Sequence, residues 1–208
     1  NVTGGSGEIK AGSGTDTINT TLDANINGAA GPYNLTIIGQ GDLDTINFNA
    51  NNVAIYGSSL ADTIVVTETQ VTINALSGGE IVNILSGAAT VNGDGGNDII
   101  TRTSGAIPIY GGANNDTFNI DGGSGDVYGG TGDDTFNPTV EVTLYGEDGK
   151  DTFNITAYTI FAYGGNSADT FNISGGTVSA DGGSGANIFV ISGGAVTASS
   201  GSGSDVYN

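Results

Sequence analysis

The chain has 208 residues, 38 of them glycine, with 22 acidic and three basic side chains, a net charge of −19, and no Cys, Met, Trp or His. That charge excludes the basic footprint of a nucleic-acid binder and opposes contact with anionic membranes, and the missing cysteine removes disulfides as a stabiliser. No apolar run approaches the roughly 20 residues that cross a bilayer as a helix, the glycines follow no G-X-Y period, and an evenly spaced apolar content of 37% argues against disorder.

Along the chain one string returns, Asp-Thr-(Phe/Ile)-Asn. Its acidic position falls at Asp16, Asp44, Asp62, Glu80, Asp98, Asp116, Asp134, Asp151, Asp169, Asn187 and Asp205. The first separation is 28 residues and every later one is 17 or 18. A fixed period of this size is the signature of a solenoid, whose coils bury their apolar faces against their neighbours. The first gap is expected to be one turn plus an insertion near 23–33. The whole of 1–208 is then one all-β, parallel β-solenoid (β-roll-like) of about eleven 18-residue turns.

Each turn reads as loop, strand, corner, strand. Gly129 to Asp134 (GGTGDD) is a tight loop, Thr135-Phe136-Asn137 opens an alternating strand, and Val142 to Tyr145 forms a second one. Strict alternation sends one set of side chains inward and the other outward. The residue after the Thr position is Ile18, Ile46, Ile64, Val82, Ile100, Phe118, Phe136, Phe153, Phe171, Phe189 or Tyr207, so this column is an inward stack. Facing it are pairs such as Val53/Ile55, Val71/Ile73, Ile107/Ile109 and Val142/Leu144. The prediction is two facing parallel sheets with glycine- and aspartate-rich loops along one edge.

Such an edge suits calcium, which takes six to eight oxygen ligands from carboxylates and backbone carbonyls. A glycine loop can turn its carbonyls toward an ion, and the repeating Asp supplies charge. Carboxylates stacked one strand spacing apart repel each other unless cations neutralise them. The candidate ligands are Asp16, Asp44, Asp62, Asp94, Asp98, Asp116, Gly129, Gly130, Gly132, Asp134, Asp148, Asp151, Asp169 and Asp205. Several Ca2+ ions along this edge are expected, with weaker sites at Asp62, Glu80 and Asn187. The opposite corner lacks its Asp in most turns, Asp121 to Asp126 coming nearest to a second site. Set against this, a lone corner Asp also serves as an Asx-type corner residue bonded to its own backbone.

The loop at 129–137 (GGTGDDTFN), with its relatives at 93–100, 111–118, 146–153 and 11–18, resembles the nonapeptide of RTX (repeats-in-toxin) proteins. The resemblance spans almost the whole chain. It implies that loop carbonyls and the closing Asp of one turn bind Ca2+ together with the neighbouring turn's loop. RTX repeats carry this nonapeptide at both corners, and this chain carries it at one.

On the outer faces, Thr recurs at 17, 45, 63, 117, 135, 152 and 170, and Asn at the position two residues on, at 19, 47, 83, 119, 137, 154, 172 and 208. Stacked Asn side chains are expected to bond along the axis; the competing reading is an ice-binding array. Tyr56, Tyr110, Tyr128, Tyr145 and Tyr163 share one register and are expected to shield the sheet as a stack, the alternative being a patch for lateral contact or carbohydrate binding.

The leading functional expectation is a calcium-stabilised structural rod (filament, surface layer or adhesin stalk), extracellular or on a bacterial surface, with no membrane insertion. Its partners are expected to be other copies of itself, stacked end to end, or surface-matrix proteins. An accessory or secretion domain of a secreted enzyme or toxin is the alternative. Catalysis is not expected, because the chain offers neither His nor Cys nor a cluster of bases. Without an initiating Met or a signal-peptide pattern, the sequence is expected to be a processed chain or an excised segment.

Overall fold

Repetition dictates the architecture, because identical alternating strands one turn apart pair in register. The computed structural model describes residues 7–11, 15–20, 24–28, 34–39, 45–48, 53–56, 61, 63–66, 71–75, 77–87 and 89–208, with side chains from Ile55 onward except at Val71 and Ala89. Among these residues the strands form a 12-stranded and an 11-stranded sheet, successive strands alternating between the two. Every pairing is parallel, and along the repeat it joins equivalent residues, as in Phe118 to Phe136 and Phe136 to Phe153. This is the expected all-β parallel solenoid.

One expected boundary differs. Ala24–Gly28 pairs in the first sheet with Gly7–Ala11 on one side and Thr45–Phe48 on the other. The stretch expected to be an insertion therefore contributes a strand to the wall. Thr15–Thr20 belongs to the second sheet, where Ile18 pairs with Ile37, and it shares no column with Ile46. Alternation looks the same on either wall, so the 28-residue gap is one turn plus a crossing to the opposite sheet.

The core is thin and continuous. Val82, Ile100, Phe118, Phe136, Phe153, Phe171 and Phe189 are buried in one column, facing a wall that includes Ile55, Ile73, Ile109, Val127 and Leu144. Adjacent Phe rings stack at 4.7–4.9 Å with near-parallel planes. Burying each Phe contributes about 1.5–3 kcal/mol, and each stacked pair adds about 0.5–1.5 kcal/mol.

The outer columns bond along the axis too. Asn137 donates to Asn119, Asn154 to Asn137 and Asn172 to Asn154, at 2.9–3.1 Å. Tyr110, Tyr128, Tyr145 and Tyr163 stack face to face at 4.8–5.1 Å. Their faces are spent on one another, which leaves edges for solvent and favours the shielding role. Tyr56 shares the register but stands apart from the stack, with Asn74 and Asn92 in between.

Candidate metal edge

Each glycine loop joins a second-sheet strand to a first-sheet strand, as 132–134 joins Val127–Thr131 to Thr135–Pro138. The closing Asp sits just before the strand whose alternation turns Thr outward and Phe inward. Its carboxylate folds into the loop. Asp98, Asp116, Asp134, Asp151 and Asp169 are all at most 1% exposed.

One oxygen of each carboxylate is committed. Oδ1 of Asp98 accepts the backbone N–H of Glu80, and the pattern continues up the rod: Asp98 to Asp116, Asp116 to Asp134, Asp134 to Asp151, and Asp151 to Asp169. These bonds are 2.7–2.9 Å long. Asp169 donates likewise to Asn187 Oδ1, and Asn187 to Asp205 Oδ1. The column is therefore a hydrogen-bonded ladder: each Oδ1 accepts from the neighbouring turn, 17 or 18 residues away, and not from its own corner as an Asx residue would.

The other oxygen is not committed. Oδ2 of Asp116, Asp134, Asp151 and Asp169 is buried without a hydrogen-bond partner. Burial raises these carboxyls far above the ordinary range of carboxylates, to about 7 at Asp116, Asp151 and Asp169 and about 8 at Asp134, although the backbone bond from the preceding rung pulls the other way. Burial raises Asp98 as well, opposed by its hydrogen bonds with Glu80. An ionised carboxylate left in such a place is strongly disfavoured, so each carboxyl is either protonated or balanced by a cation.

The glycine loop runs close against this oxygen. A Cβ on Gly129 would meet Asp134 Oδ2 at 2.3 Å and the Gly146 carbonyl oxygen at 2.8 Å. Only glycine allows the backbone this close. Gly130 and Gly132 stand at φ of 115° and 133°, where other residues are strained. A buried anionic oxygen beside a loop carbonyl is a donor set that fits a hard, oxygen-seeking cation. Among the described residues no three acidic groups gather at one point, so loop carbonyls would complete any coordination sphere.

The remaining candidates separate from this row. Asp94 and Asp148 are exposed on the outside of their loops, and Asp148 accepts a bond from Asn166. Asp94 and Glu147 occupy the loop position of Gly130, with φ of 64° and 74°. Asp205 ends the ladder and is partly exposed. Asp16 lies in a second-sheet strand, opposite Leu35, and so outside the ladder's column. Asp44 and Asp62 fall outside the described residues.

Sequence reasoning missed Arg102. It occupies the column of Val66, Ile84, Ile120 and Pro138, and is fully buried. Its guanidinium lies in the opposite corner, with Nε donating to Gly122 O at 3.0 Å and Nη1 reaching Ile107 O, Ser124 O and Gly125 O at 2.9–3.2 Å. Burial draws the guanidinium down to about 10, with Asp126 acting against the shift. It stays cationic at neutral pH. The carbonyls of Gly122, Ser124 and Gly125, in the stretch where a second-edge site was nearest to expectation, are thus held by a side chain. Alternation contained the signal, since a residue two places after inward Ile100 must also point inward.

The chain matches no protein-family model, and no curated protein is similar to it.

Proposed function

We propose that the chain is a structural rod of RTX-like repeats, stabilised by Ca2+ along one edge, and serving outside the cell as part of a filament, surface layer or adhesin stalk. The observation that carries this is the row of buried, partnerless Oδ2 atoms at Asp116, Asp134, Asp151 and Asp169. Four such oxygens along one edge of a chain with net charge −19 call for neutralisation from outside, and calcium accepts carboxylate and carbonyl oxygen together. When bound, the ion supplies charge balance and ties neighbouring turns. The carboxylates hold the rungs in register, and the glycine loops exclude water from them.

Circular dichroism with sedimentation through a calcium titration tests this. Chelation is expected to reduce strand content at neutral pH, and unchanged strand content sinks the calcium claim. A folded chain that remains monomeric at high concentration removes self-assembly and leaves the rod.

A second reading has its own support. At Asn187 the side-chain amide donates to Ser200 O at 3.1 Å. A protonated Asp could donate to the equivalent carbonyl from Oδ2, so protons could neutralise the rungs in place of calcium. A rod that folds in chelator at mildly acidic pH and gains nothing from calcium at neutral pH would favour protons.

A further inference from the structure

Asn187 is the one described rung, from Asp98 to Asp205, that lacks a carboxylate. It keeps every ladder bond: its Oδ1 accepts from Asp169 at 2.9 Å and its N–H donates to Asp205 at 2.8 Å. Its other terminal atom differs. A Cβ on Gly164 would meet Asp169 Oδ2 at 2.3 Å and Gly182 O at 2.7 Å, and one on Gly182 would meet Asn187 Nδ2 at 2.5 Å and Ser200 O at 3.0 Å. The amide nitrogen thus holds the place that Oδ2 holds one turn earlier, and Ser200 O holds that of the loop carbonyl.

The geometry assigns Asn187 as the stop of the cation row. An amide N–H repels a cation and satisfies the carbonyl that a cation would otherwise draw on. Being neutral, this buried rung requires no counter-charge. The row therefore ends at Asp169, and Asp205 is cut off from it although the ladder of hydrogen bonds runs on unbroken. The inference rests on the calcium reading above and concerns where that row ends. It also implies that Asn at an interior rung preserves the fold, removes a demand for calcium and interrupts the row.

Calcium chloride titrated into the full chain, with bound ions counted by calorimetry and equilibrium dialysis, tests this on wild type, Asn187→Asp and Asp151→Asn. Asn187→Asp is expected to bind about one more ion per chain than wild type, and Asp151→Asn at least about one fewer. Asp151→Asn is also expected to melt at a higher temperature than wild type in chelator, a readout independent of ion count. Wild type that binds no calcium sinks the calcium reading itself. Wild type that binds calcium, with an unchanged count in Asn187→Asp, overturns the stop and leaves that reading standing. Should Asn187→Asp fail to fold, Asp151→Asn decides: a wild-type count there overturns the inference.

Discussion

The two edges of the rod meet the same problem, a corner lined with inward-facing polar atoms, from opposite directions. At the glycine-loop edge the buried group is an anion, repeated at Asp98, Asp116, Asp134, Asp151 and Asp169, and its outer oxygen finds no protein partner in four of these turns. At the other edge the buried group is a cation, Arg102, and the carbonyls of Ile107, Gly122, Ser124 and Gly125 turn onto it. A single guanidinium tethered in the chain organises two successive corners through Nε and Nη1, while its Nη2 stays buried without a hydrogen-bond partner. The ladder repeats a charge that only solution can balance. One edge thereby meets most of its polar demand within the chain, and the other leaves a row of buried carboxyl oxygens unpartnered.

The largest effect expected from this contrast is on pH dependence in chelator. The ladder carboxyls titrate near 7–8 in the folded rod and near their ordinary value of about 3.9 in the unfolded chain. Between these values the folded state binds more protons, so stability falls as pH rises. It is full below about pH 4 and lost above about pH 8. Melting temperature against pH should fall through this window in chelator and flatten when calcium is added, while a flat profile in chelator would break the comparison. Arg102→Met comes next. It removes the donors for buried carbonyls and should cost about 3–5 kcal/mol, read as a lower denaturation midpoint that calcium does not restore. Gly129→Ala places a methyl group 2.3 Å from Asp134 Oδ2 and should cost about 1–3 kcal/mol, with weaker calcium binding in the same titration. Smallest is Asp148→Asn. This side chain lies outside the loop, so stability should move by less than about 0.5 kcal/mol and the calcium count should not change, whereas a lost ion would show that the outer acids belong to the row.

Much of this molecule is legible in one dimension. The period at Asp98, Asp116 and Asp134 and the alternation at Thr135-Phe136-Asn137 suffice for two parallel sheets, an aromatic column and a bonded Asn row, because each depends only on spacing and on which side a strand residue faces. Two features were written in the same alternation and still missed. Thr15–Thr20 fits either wall equally well, and only pairing with Asn34–Gly39 assigns it to the second sheet. Arg102 reads as one of three scattered charges until its register with Ile84 and Ile120 places it in the core.

By itself the sequence determined the solenoid, its turn length and the residues that share each column, since a repeating pattern can be satisfied only by stacking copies of itself. Tertiary structure alone decided what the aspartates do. Whether a corner side chain points into the loop or out of it depends on backbone angles such as those at Gly130 and Gly132 and on the neighbouring turn's N–H. For that reason the buried, half-satisfied ladder became visible only once the turns were stacked.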